Sequence, residues 1–240
     1  MSLITESLDL VRRAAPADVF AWLERGLPKP SDDTSSAFSR GLFFGFFAGV
    51  GRRTAGITIT LSDDERASLV NHGIPRPELW SVADFARLAL LSRALDASPF
   101  DTHAALVHEA FRKGDNDERI ATLRALAYLP SPERFAPTAF EAARTHVVDV
   151  FAALACDNSY PARHFPELHW NQLVMKAFFV EVPVSRMLGL SERNNAELLR
   201  MACDFVAERT AAGRIVPAEL ALIDPALLTA VAAVPAKGAP

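Results

Sequence analysis

NSYPARHFPELHWNQLVMKAFFVEVPVSRMLGLSERNNAELLRMACDFVAERTAAGR, residues Asn158 to Arg214, decides how the rest of the chain is read. It describes a tight turn, a helix apolar on nearly every side, and a second, strongly amphipathic helix. In the first helix His169, Gln172 and Lys176 fall at i, i+3 and i+7, on one face of a rod with about 3.6 residues per turn. A lysine among Leu173, Val174, Met175, Ala177, Phe178 and Phe179 needs a partner, a wet cavity or a ligand, because an unpaired buried charge is costly. Glu181 and Asp157 are its candidate partners within the chain. Physical reasoning stops at a helical domain and names no reaction.

Working outward, helix starts recur along the chain. Pro16 opens a helix to about Arg25; Ser62 with Glu65 forms a capping box. Ser81 precedes VADFARLALLSRAL, Ser98-Pro99 precede FDTHAALVHEAFRK, and Asp115 with Glu118 opens a helix to Tyr128. Ser131-Pro132 begins another turn, Ser191 caps the helix that Gly213 ends, and Asp224-Pro225 opens a last one. Roughly nine to eleven helices of about 10–20 residues follow. Gly56 to Leu61 alternates in a β-like manner but has no partner strand, so it reads as an extended connector. Leu27 to Ser36 is a loop, and the tail 234–240 is expected to be disordered. The expected fold is all-α: one domain over residues 1–233, an irregular helical array of HEAT-like or α-solenoid-like character.

Composition narrows the function classes. The chain has 240 residues, half apolar and 22% charged, with a net charge of −4 that gives no reason to expect nucleic-acid binding. Two cysteines, Cys156 and Cys203, imply no disulfide framework and suit a reducing cytoplasm. The N-terminal segment carries early acids and no apolar run, unlike a signal peptide. The greasiest segment, Gly41 to Val50 (GLFFGFFAGV), is far short of the roughly 20 residues a bilayer span needs. Sixteen Phe against two Tyr supply bulky filler without polar handles. Phe43, Phe44, Phe46 and Phe47 stand too close together to share one core side, so they fit burial between two helix layers or contact with a membrane or partner.

Tests for chemistry are mostly negative. Cys156, Asp157, His164 and His169 do not have zinc-ligand spacing, and His108-Glu109 is one isolated pair, read as an exposed polar surface. No nucleophile motif or phosphate-cradling glycine fingerprint occurs. No metal or cofactor is called for. Arg193 is placed for an i,i+4 contact with Glu197, and Arg209 and Arg214 suit a helix C-terminus.

The chain resembles the EboA family through Asn158, Tyr160 and Pro161; Phe165, Pro166 and Glu167; Trp170, Asn171 and Gln172; and Lys176, Ala177 and Pro183. The likeness continues through Gly189, Leu190, Arg193 and Asn194, and ends at Glu208, Arg209, Ala212, Gly213 and Arg214. This resemblance implies a part in moving a secondary-metabolite precursor toward the periplasm, alongside a membrane prenyltransferase-like protein and several enzymes. It brings no catalytic residues. The acidic runs Asp32-Asp33 and Asp63-Asp64-Glu65, and the pair Asn194-Asn195, do not have the spacing of a prenyl-diphosphate magnesium site. The expected function is that of a non-catalytic cytoplasmic component, peripheral to the inner membrane and not spanning it, that handles a small-molecule precursor. Its expected ligand cleft comprises Tyr160, His164, Trp170, Asn171, Lys176 and Arg193, with Trp170 stacking on a planar group and the two cations meeting an anionic or carbonyl group. The alternatives are an adaptor docking the membrane partner through residues 38–50, or a small enzyme with His164 or His169 as general base.

Overall fold

The computed structural model describes residues 1–28 and 39–228, and these form an all-α protein. Most of the Leu27–Ser36 loop, Phe38, the end of the helix expected after Asp224-Pro225, and the tail 234–240 lie outside the described residues. The α-helices are α1 (Leu3–Ala14), α2 (Ala17–Gly26), α3 (Arg40–Thr54), α4 (Asp63–Asn71), α5 (Val82–Asp96) and α6 (His103–Lys113). They continue as α7 (Asn116–Ala125), α8 (Ala136–Ala142), α9 (Val148–Ala155), α10 (Tyr160–His164), α11 (Glu167–Phe179) and α12 (Ala196–Ala211). The twelve α-helices among the described residues exceed the nine to eleven expected, because the chain uses more short helices and breaks them with 3-10 turns.

The start signals mostly act where the sequence puts them. Ser62 and Glu65 make a reciprocal capping box at α4, Ser81 and Asp84 make another at α5, and the Asp115 side chain accepts from the Glu118 amide at α7. One differs. The cap of α12 is Asn195, whose side chain accepts from the Leu198 amide, while the Ser191 hydroxyl bonds only to Glu192. Gly213, with φ of 65°, ends α12 as expected, as the Arg214 amide reaches back to the Arg209 carbonyl. Gly56 lies in a turn with φ of 74°, residues 57–61 have no regular secondary structure, and no strand occurs among the described residues.

Helix α5 is the hub. Almost its whole length from Val82 to Leu95 is buried, and it packs against α1, α3 and α7. Beyond it α7 packs on α9, α9 on α11, and α11 on α12, with α6 and α8 lying against α7 and α9. One contiguous core runs from Leu10 to Leu227. A helix gripped on several sides by elements distant in sequence differs from a linear stack, where each repeat meets only its neighbours. The arrangement is an irregular array.

The aromatic stretch resolves into two faces. Phe43 and Phe47 are buried toward α5, while Phe46 packs on Trp22 of α2 at 4.9 Å. Helix α3 is thus sandwiched between α2 and α5, and no Phe of this helix stands among the exposed large hydrophobics. No described helix is long and apolar enough to cross a membrane.

Because α5 carries the core, its start is the sensitive end. Ser81→Ala should cost about 1 kcal/mol in urea unfolding and Ser81→Asn much less; equal midpoints for wild type and Ser81→Ala would mean the box contributes nothing.

Candidate functional site

A protein of short helices exposes many carbonyl groups, since the last four of each helix have no partner within it. The residues of the Asn158–Arg214 stretch answer that need. The Asn158 amide donates at 3.0 Å to the Leu123 carbonyl in the last turn of α7 and at 3.0 Å to that of Ala153 in α9. Its oxygen accepts from the Tyr160 amide, and Pro161 sits where α10 needs no N–H. Three helices are thereby tied to one buried amide. The Tyr160 hydroxyl, fully buried, donates to the Pro132 carbonyl at 2.7 Å, and burial raises its pKa.

Arg193 closes the other end of α10. Its guanidinium donates to the carbonyls of Pro161 at 3.0 Å, Ala162 at 3.1 Å and Phe165 at 2.8 Å, and lies 4.9 Å over the Trp170 ring. It makes no pair with Glu197, which holds Arg200 instead. Gly189 (φ 81°) permits the close approach, since a Cβ there would stand 2.7 Å from that of Ala162. Asn171 and Asn195 exchange side-chain bonds of 3.0 and 2.9 Å, fixing α11 to the start of α12. His164 lies beside Tyr160, with ring centres 4.7 Å apart, and its pKa is lowered by burial.

Five of the six expected site residues, Tyr160, His164, Trp170, Asn171 and Arg193, therefore gather at one packed junction of α10, α11 and the approach to α12. Trp170 is 1% exposed and the guanidinium of Arg193 covers its ring. The sixth, Lys176, stands apart. Its ammonium donates at 2.7 Å to each of the Ala143 and Thr145 carbonyls, closing the end of α8, and lies 4.8 Å from the Phe151 ring. Neither proposed carboxylate holds it: Asp157 pairs with Arg186, and Glu181 is exposed. Burial lowers the lysine pKa.

Beside that ammonium is a cleft of about 290 Å³ between α8 and α11. His169, Gln172 and Lys176, the polar stripe of the sequence, all line it, against walls that include Phe140 and Phe165. His169 stacks on Phe140 at 4.1 Å, and its Nδ1 is buried without a hydrogen-bond partner. Arg144 adds a second cation, and no carboxylate is among the lining residues. Sequence reasoning missed Phe140 and Arg144, which reach the cleft from α8 and from the turn that follows it and left no local pattern.

The candidate metal ligands disperse. Cys156 bonds to the Pro183 carbonyl with its thiol pushed up to about 11 by burial, and Asp157 grips Arg186. Among the described residues no three His, Cys, Asp or Glu side chains converge on a point. His108 and Glu109 are not a free surface pair. His108 meets Thr138 and Glu141, while Glu109 meets Arg40 and Lys113.

The described residues form an all-α protein with a small cleft between α8 and α11 lined by two cations. It belongs to the EboA family: the family model described as metabolite traffic protein EboA matches residues 5–223. No curated protein and no solved structure matches the chain.

Lys176→Met should lower stability by roughly 1–3 kcal/mol, because two carbonyls lose a charged donor; an unchanged urea midpoint would contradict the capping role. The His164 shift has a definite sign. Its folded pKa lies below the unfolded value, so the stability it contributes is present above about pH 6.5 and lost as pH falls. The wild-type stability curve should therefore fall more steeply below that pH than that of His164→Phe, and parallel curves would refute it.

Proposed function

We propose that this protein is a non-catalytic carrier that receives a small anionic or carbonyl-bearing metabolite precursor in the cleft beside Lys176. The observation that carries this reading is the charge imbalance of that cleft: Lys176 and Arg144 line it, and no carboxylate does. Coulomb attraction in a part-buried site is stronger than at an open surface, so the cleft favours negative charge. Lys176 retains one N–H beyond the two committed to carbonyls. Gln172 supplies an amide that donates and accepts, and Phe140 and Phe165 offer apolar walls. In this reading Lys176 meets the ligand, while Tyr160, His164, Trp170, Asn171 and Arg193 form the frame that fixes α11 beneath it.

The family's description supports traffic of a metabolite as the setting. We further infer that the chain acts as one unit over residues 1–233, in the cytoplasm at the inner-membrane face, and passes the precursor on toward the periplasm. The adaptor reading is less well supported, since the Phe side chains of α3 it needs at the surface are packed against α2 and α5. The enzymatic alternative is less well supported, since the His164 ring packs on Tyr160 and the His169 ring on Phe140.

Native mass spectrometry of protein purified from its own host is the direct test. Wild type should carry a low-mass compound that Gln172→Trp, a change at an exposed position that fills the cleft mouth, no longer carries. An identical cargo in both proteins, or none in either, would refute the cleft as the carrier site.

A further inference from the structure

Another cavity, of about 450 Å³, lies between the C-terminal end of α3, the N-terminal end of α5 and a face of α7 that runs from Asp117 to Arg124. Gly51 and Thr54 line it from α3, Asp84 and Arg87 from α5, and Asp117 and Arg124 from α7. Arg87 is its unusual member. It is 2% exposed, among the largest fully buried side chains, yet it joins none of the ion pairs found among the described residues. Its Nε donates to the Phe47 carbonyl at 3.3 Å, and the Phe47 ring lies 5.6 Å away. The two terminal nitrogens have no hydrogen-bond partner among the described residues. Neither is among the sealed partnerless polar atoms, which are those of Ser7, His103, His169, Trp170 and Thr210, so they look onto the cavity.

The acids nearby do not meet this fork. Asp84 accepts from Arg124 at 2.7 Å and from the Ser81 amide and hydroxyl at 2.8 Å each, all on Oδ2, and makes no bond to Arg87. Glu118 feels the charge of Arg87 from a distance, but burial and Asp115 favour its neutral form. Asp117 is exposed at the rim. Gly51 leaves room for the guanidinium, as a Cβ there would stand 3.2 Å from Nη2.

A buried guanidinium with open donors is costly, and its planar fork matches two oxygens of one carboxylate or phosphate. The first turn of α5, which lines the cavity, adds the positive end of one helix dipole. We propose that this cavity is an oxyanion site, separate from the Lys176 cleft, in which Arg87 receives the carboxylate or phosphate group of a small ligand and Arg124 flanks it.

The test uses the purified full chain with inorganic phosphate and with acetate, at ionic strength held constant with sodium chloride. Calorimetry and thermal unfolding should show saturable binding of at least one oxyanion, absent with chloride, and the stronger of the two names the class. Arg87→Met should weaken it at least tenfold, the loss of about one charge-assisted contact. Should that variant not fold, Ala83→Glu decides: at the start of α5 on the cavity wall, it supplies a tethered carboxylate that competes for Arg87. The measurements are repeated in the Gln172→Trp background, which closes the Lys176 cleft, so that the remaining response is that of this cavity. No oxyanion response in that background, or binding there that survives Arg87→Met or Ala83→Glu, overturns the proposal.

Discussion

Helix-end carbonyls must find donors, and that constraint organises this protein. Each helix leaves four of them open, and a chain that makes many short helices multiplies the problem inside its own core. Here the answer comes from side chains far away in sequence. Asn158 serves α7 and α9, Arg193 serves α10, and Lys176 serves α8. Each joins one helix to the end of another, so the polar groups that look most like ligand contacts also set how the helices pack.

This has an electrostatic consequence. A cation neutralised by a carboxylate leaves no field behind, whereas one bonded to neutral carbonyls keeps its charge. Lys176 is of the second kind, and Arg193, held by three carbonyls and a ring face, is another. Arg87 carries the logic further, with one carbonyl, one ring and a fork left open. The protein as a whole is acidic, yet the Lys176 cleft and the Arg87 cavity each hold a cation bonded to carbonyl oxygen and not to a carboxylate.

Much of this was legible in the residues. Local rules placed the starts of α4, α5 and α7 because a capping side chain and the amide it serves lie three positions apart. Helical spacing put His169, Gln172 and Lys176 on one wall. What failed needed knowledge of distant chain. Within Ser191-Glu192-Arg193-Asn194-Asn195 several residues can cap a helix, and Asn195 is fixed there by its bond with Asn171, 24 positions away. The partner of Lys176 was sought among carboxylates close in sequence, but the amine reaches back 33 residues to a carbonyl that no side-chain pattern reveals. Nothing local in the sequence marks Arg87, since only the packing of α3 and α7 on α5 shows that its face is buried.

The central claim, that Lys176 holds the end of α8 while keeping its charge and one free donor beside the cleft, is open to direct measurement. The chain has four lysines, so nuclear magnetic resonance of the side-chain ammonium groups gives a spectrum simple enough to assign by one substitution. The account predicts a single charged ammonium at neutral pH whose protons exchange far more slowly than the rest, and which disappears in Lys176→Met. Four ammonium groups exchanging alike would show that this amine is not held by the α8 carbonyls.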